Sequence, residues 1–128
     1  MRQLSDVDGL TASDVMHGQL STLPATTTVR ELRAYFAAST SHRLALIVDG
    51  PRYVGSIGAG ELPADAEAGL AVAGLARRGD TIAPDAPAAR ARDAALADSS
   101  RRVPVVDERD TLLGIVAINR DRTGFCGT

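Results

Sequence analysis

The sequence predicts a mixed α/β fold built from two copies of one small unit, and three observations carry that reading. The run Arg43-Leu44-Ala45-Leu46-Ile47-Val48-Asp49, followed by Tyr53-Val54-Gly55-Ser56-Ile57, has a partner in Arg101-Arg102-Val103-Pro104-Val105-Val106-Asp107, followed by Leu112-Leu113-Gly114-Ile115-Val116. Upstream, Ser21-Thr22-Leu23 precedes the first run and Asp80-Thr81-Ile82 the second. Thr22 to Thr81 and Gly55 to Gly114 span the same distance. A repeat of fixed period means two copies of one supersecondary unit. Neither copy is long enough to bury a good core alone, so both are expected to pack into one body.

Each element follows from local signals. Residues 1–10 are polar and read as a loose arm. Thr11-Ala12-Ser13-Asp14-Val15-Met16 reads as a short helical turn capped by Thr11 or Ser13. Thr22-Leu23 is a very short strand. Thr28-Val29-Arg30-Glu31 is a capping box that starts a helix, with Val29, Leu32 and Phe36 at helical spacing and Arg30 and Arg33 turned outward. Leu44 to Val48 is a continuous apolar run, as in a buried strand. Asp49-Gly50-Pro51-Arg52 is a turn and Tyr53 to Ile57 the returning strand. Glu61 to Leu70 is expected to be helical, with Pro63 in its first turn.

The second copy repeats this order. Leu75-Ala76-Arg77 echoes Met16-His17-Gly18, Thr81-Ile82 is the short strand, and Asp85-Ala86-Pro87 starts a helix. That helix shows a face of Ala88, Ala91, Ala94 and Ala95. Side chains this small suggest close approach of another backbone, from the other copy or another chain; drift toward alanine explains them equally well. Val103 to Val106 and Leu112 to Ala117 form the second hairpin. The copies span 11–64 and 70–123, together one module, and 124–128 is expected to be a frayed tail.

Composition narrows the function. The net charge of −2 offers no field to draw in nucleic acid or a membrane. All 14 basic residues are Arg, so Schiff-base chemistry and the P-loop lysine are excluded. Cys126 is the only cysteine, which rules out an internal disulfide. No signal-like stretch or membrane-length apolar run is present, and the expected location is the cytoplasm.

Each copy thus reads strand, helix, strand, strand, helix. That order, the Asp14-Val15-Met16 opening, the Val103-Pro104-Val105-Val106-Asp107 strand and the Gly114-Ile115-Val116 strand together resemble the CBS (cystathionine β-synthase) domain, here as a tandem pair over about Thr11 to Asp121. The resemblance implies an α/β pair with pseudo-twofold symmetry, often a dimer of pairs, and sensing rather than catalysis. It implies adenosine nucleotides, such as AMP, ADP or ATP, or related anions as ligands in the clefts between copies.

On that basis the expected ligand contacts of the first copy are Thr22 and Leu23 on the short strand, His42, Arg43 and Leu44 before the central strand, and Ile57, Gly58 and Glu61 after the returning one. In the second copy they are Thr81 and Ile82, then Arg101, Arg102, Val103 and Pro104, then Val116, Ala117, Arg120 and Asp121. The paired basic residues recur at equivalent places, and the planar fork of Arg suits phosphate oxygens. The ribose-holding pattern of the family, a hydroxyl followed three positions later by Asp, is broken in both copies. Gly58 and Ala117 replace the hydroxyl, Glu61 and Arg120 stand at the acidic position, and Asp121 lies one step late.

Other motifs carry less. Gly55-Ser56-Ile57-Gly58-Ala59-Gly60 reverses the dinucleotide spacing and reads as a strand exit whose glycines permit tight packing. His17, His42 and Cys126 fit no metal-ligand spacing, and Ser56 lacks a nucleophile-elbow context. Tyr35, Phe36, Tyr53 and Phe125 are too scattered to stack on single-stranded nucleic acid. With no catalytic constellation, the chain is not expected to be an enzyme. Two readings stand: a sensor of an anionic ligand, with a regulated protein partner, or a constitutive dimerisation or docking module with degenerate, ligand-free clefts. A homodimer is expected under either, with core or dimer contacts through Ala88, Ala91 and Ala95 and through Leu32 and Phe36.

Overall fold

The computed structural model describes residues 1–127, and it divides into two compact units. One is the contiguous segment Ser21–Gly79; the other joins Met1–Leu20 to the chain from Asp80 onward. Buried residues gather in two clusters, one in each unit.

In the 21–79 unit, β1 (Thr22–Pro24) runs parallel to β2 (Leu44–Asp49), which pairs antiparallel with β3 (Arg52–Gly58). The apolar run buries Ala45, Leu46 and Ile47. Helix α2 (Val29–Ala38) starts where its capping box predicts: Glu31 N donates to Thr28 Oγ1 at 3.3 Å and Thr28 N donates to Glu31 Oε1 at 3.0 Å. Val29 and Leu32 are buried against Ile47, Ile57 and Val72.

The other unit repeats the plan in reduced form. Its hairpin is β4 (Arg102–Val106) and β5 (Leu112–Ala117), and the short first strand shrinks to one parallel bridge, Ile82 with Val105. Helix α3 (Ala88–Ala97) begins after Pro87 without a side-chain cap. Its alanines have a use. Ala88, Ala91 and Ala95 are fully buried in one cluster with Ala12 and Val15 of α1 (Ala12–Val15), so the element that approaches closely is the short opening helix. Those alanines and Leu32 are core residues of their own units.

The units do not follow the sequence copies. Helix α1 opens the first copy but joins the hairpin of the second: Ala12 N donates to Ala86 O at 2.8 Å, and His17 and Ile115 exchange backbone hydrogen bonds at 3.0 and 3.1 Å. The 3₁₀ turn Val72–Gly74 opens the second copy but joins the first: Val72 N donates to Thr27 O at 2.8 Å, and Ser56 and Arg77 exchange bonds at 2.7 and 2.9 Å. The position matching His17 is thus Arg77, one step beyond the match read from sequence. This pairing explains the recurring glycine. A Cβ on Gly55 would lie 2.8 Å from Arg77 O, and one on Gly114 would lie 2.9 Å from His17 O. Only glycine lets the second backbone come so near.

Three expectations fail, each for a physical reason. Residues 61–70 form turns, not a helix. Pro63 removes a donor, and the Arg33 guanidinium, far from pointing outward, donates to the carbonyls of Pro63, Ala64 and Ala66. The arm and the tail are not loose. Leu4 N donates to Thr123 O, Phe125 N to Arg2 O and Cys126 N to Ala117 O, and Phe125 is fully buried; Thr128 of the expected tail lies outside the described residues. The helix expected to close the second copy is also a turn. Asn119 Oδ1 accepts from Thr123 N at 2.8 Å and its amide donates to Thr123 Oγ1 at 2.9 Å. No helix among the described residues is long and apolar enough to cross a membrane.

Candidate functional site

In the 21–79 unit, most of the expected contacts collect at one end of the sheet. Leu44 pairs with Gly58, and Ala59 N donates to Arg43 O at 3.0 Å, so Arg43 sits beside the exit of β3. Its side chain is exposed. Leu44 is half-buried, and Ile57 is buried in the core of the unit. Thr22 and Leu23 lie further along, opposite Leu46 and Ile47; Thr22 is exposed, while Leu23 packs on the core. His42 is turned away toward α2. Its Nδ1 lies 2.6 Å from Tyr35 O and its ring stacks on Tyr35 at 4.1 Å between centroids.

The acidic position is already engaged. Glu61 Oε1 accepts from Gly58 N at 2.8 Å, and Oε2 lies 2.7 Å from Arg77 Nη2. Arg77 carried no role in the sequence reading beyond an echo of Gly18. A Glu and an Arg this far apart in sequence follow no spacing rule, and only the exchange of opening segments brings them together.

The other unit holds its arginines differently. Arg101 takes a left-handed backbone (φ 57°), its Nε reaches Ile118 O at 3.4 Å, and its carbonyl accepts from Ile118 N at 2.9 Å. Arg102 Nη1 donates to Ser100 O at 2.8 Å. Val103, Pro104, Val116 and Ala117 are buried, with Arg102 opposite Ala117 and Val103 opposite Val116. Ile82 N donates to Pro104 O at 3.0 Å, and Thr81 beside it is half-buried. Arg120 and Asp121 are exposed in the turn closed by Asn119.

Near this hairpin an open cavity of about 530 Å³ is lined by Met16, His17, Gly18, Gln19 and Gly127. Burial, and then the charge of Arg102, pull the His17 pKa below its usual 6.5. Both favour the neutral form of the imidazole. Among the described residues no group of three or more His, Cys, Asp or Glu is placed to hold a metal ion.

A repeated unit of short strand, helix and hairpin, with a basic residue leading each central strand, defines a duplicated α/β module. Residues 73–119 match the model of the CBS domain family, and the chain has the fold of a CBS domain pair. It superposes on a cystathionine β-synthase pair domain from Shewanella oneidensis MR-1 with a TM-score of 0.74, at 17% identity over 88% of this chain and 68% of that one. The structure of CBSX2 in complex with AMP gives 0.73, at 21% identity over 89% and 92%; CBSX2 is known from Arabidopsis thaliana. The cytosolic domain of the Mg2+ channel MgtE in complex with ATP gives 0.68, at 23% identity over 89% of this chain and 48% of that one. No curated protein matches the chain. The matched residues 73–119 follow the sequence copy, so they cross the boundary between the two structural units.

Proposed function

We propose that the chain is a cytoplasmic, non-catalytic regulatory module that works as a homodimer and binds an anionic metabolite, adenine nucleotides being the first class to try. One observation carries this reading. In both units arginine stands at the same end of the sheet, Arg43 beside the exit of β3 and Arg102 opposite Ala117 at the exit of β5. The structures of CBSX2 with AMP and of MgtE with ATP support the choice of ligand class. The absence of a hydroxyl at Gly58 and Ala117, and the engagement of Glu61 by its own chain, argue that affinity for the ribose part is weak.

A thermal-shift series with AMP, ADP, ATP and inorganic phosphate tests the proposal. A single-site ligand at a hundred times its Kd adds about 2.7 kcal/mol of stability. Calorimetry on Arg43→Ala and Arg102→Ala should then show binding weaker by about ten- to a hundredfold, the scale of a charge-assisted contact. The two unclamped positions favour a second reading, constitutive assembly. It predicts no shift with any of the four probes while light scattering still reports twice the chain mass.

A further inference from the structure

We propose that Gly58 and Arg77 form a small anion cradle whose resident occupant is the protein's own carboxylate, Glu61, so that a free anion enters only by displacing that side chain. The inference deepens the regulatory reading above and rests on it for the ligand class.

The geometry is that of a bound ligand. One carboxylate oxygen of Glu61 accepts the Gly58 amide proton at 2.8 Å, and the other meets the Arg77 guanidinium at 2.7 Å. A backbone amide and an arginine, each on its own oxygen, are donors that a phosphate or a free carboxylate would use in the same way. The backbone turns back to allow it, since Glu61 N donates to Gly58 O at 2.9 Å. Glycine leaves room for the occupant: a Cβ at position 58 would lie 2.7 Å from Glu61 Oε1 and would push that carboxylate out of the cradle. The two departures from the ribose-holding pattern are therefore one device. The missing side chain at 58 makes the room that the longer acid at 61 fills.

The occupant is held lightly. The side chains of Glu61 and Arg77 are 41% and 63% exposed, and ion pairs so open to water are weak and screened by salt. In the second copy the position matching Glu61 is Arg120, which is exposed and offers no carboxylate, so self-occupancy is confined to one copy.

The test is a titration of inorganic phosphate into the full chain, followed at the Gly58 amide by ¹⁵N–¹H NMR at constant ionic strength. In the wild type the Gly58 resonance should move only at high phosphate. Glu61→Ala should give a saturable shift with a Kd about five- to tenfold lower than that of the wild type. Glu61→Gln, which keeps an acceptor but loses the charge, should fall between them. Adding Arg77→Ala to Glu61→Ala should abolish the gain. Equal responses in the wild type and both single variants would overturn the proposal, and so would a gain that survives loss of Arg77. The same samples assayed with AMP separate the two readings. Failure of the nucleotide panel in the wild type counts against the regulatory ligand, whereas failure of the phosphate gain counts against the cradle alone.

Discussion

In the 21–79 unit, Arg33 on α2 reaches across to the carbonyl of Ala64; in the other unit Arg92 on α3 reaches the carbonyl of Leu4 at 3.0 Å. The two arginines stand at the period of the repeat, and so, within one position, do the carbonyls they meet. The polar arm at the start of the chain is thus the structural equal of the turn-rich segment after β3. Both cover a small core, and in both an arginine supplies a donor to carbonyl oxygen outside any helix, three of them for Arg33 and one for Arg92. The units differ in how much else holds the cover. The 21–79 unit adds the Glu61–Arg77 contact, while the other adds the buried ring of Phe125. A duplicated plan can keep its backbone pairing and still place polar closure in one copy and apolar closure in the other.

Four experiments press on that difference. The largest effect is expected from Phe125→Ala, which empties a fully buried site and should cost about 3–5 kcal/mol in denaturant unfolding. Hydrogen exchange should show the loss concentrated in β4, β5 and α3. A change below 1 kcal/mol would mean the tail is only laid on the surface.

Next come the glycines at the exchanged backbones. Gly55→Ala meets only the main chain of Arg77 and Arg78, whereas Gly114→Ala also meets the flexible Met16 side chain. Both should lose stability within the range of about 1–3 kcal/mol typical of overpacking, with Gly55→Ala the worse. The reverse order would show that the two approaches are not equivalent.

Replacing Arg33 by Ala leaves three carbonyls without this donor and replacing Arg92 leaves one. Each loss should cost about 1 kcal/mol, greater for Arg33, by the same denaturant assay. Equal and negligible losses would reduce both arginines to surface charges.

The smallest effect is a pH dependence. The folded His17 has a lowered pKa, so the unfolded chain binds its proton more readily. Its contribution to stability is present above 6.5 and is lost as pH falls below that value. Comparing Tm at pH 7.5 and 5.5, His17→Gln should show a shallower fall than the wild type. An unchanged slope would place the histidine in water.

Much of the fold is legible in the sequence because it rests on short-range signals. The Thr28–Glu31 capping box, the Leu44–Val48 run and the Pro87 start each name an element from a few adjacent residues, and the repeat names the second copy from the first. The failures are long-range. Nothing local in residues 61–70 reveals that Arg33, a helix away in sequence, will take their carbonyls. The polarity of the arm does not show that Leu4 will be held by Arg92. Which hairpin an opening segment joins is invisible to a periodicity, because both pairings present the same pattern. The site divides the same way. Arg43 and Gly58 fall together because adjacent strands pair, a contact the hairpin foretells. His42 faces Tyr35, and Glu61 meets Arg77, through contacts that no spacing encodes.

The exchange of opening segments also sets an order of assembly. A ribosome adds about 5–20 residues per second. Residues 21–79 are contiguous, and the backbone pairings within this unit are available as soon as Arg77 has emerged, so it can form during synthesis. Residues 1–20 must wait until the chain from Asp80 has followed, a delay of several seconds at that rate. Over that interval Val7, Ala12 and Val15 are exposed with no native surface to cover them, and the unit they complete carries the higher loop-closure cost. Newborn chains therefore pass through a state in which one half is built and the other is an open apolar tether, the stage at which a chaperone or a second nascent copy would meet it.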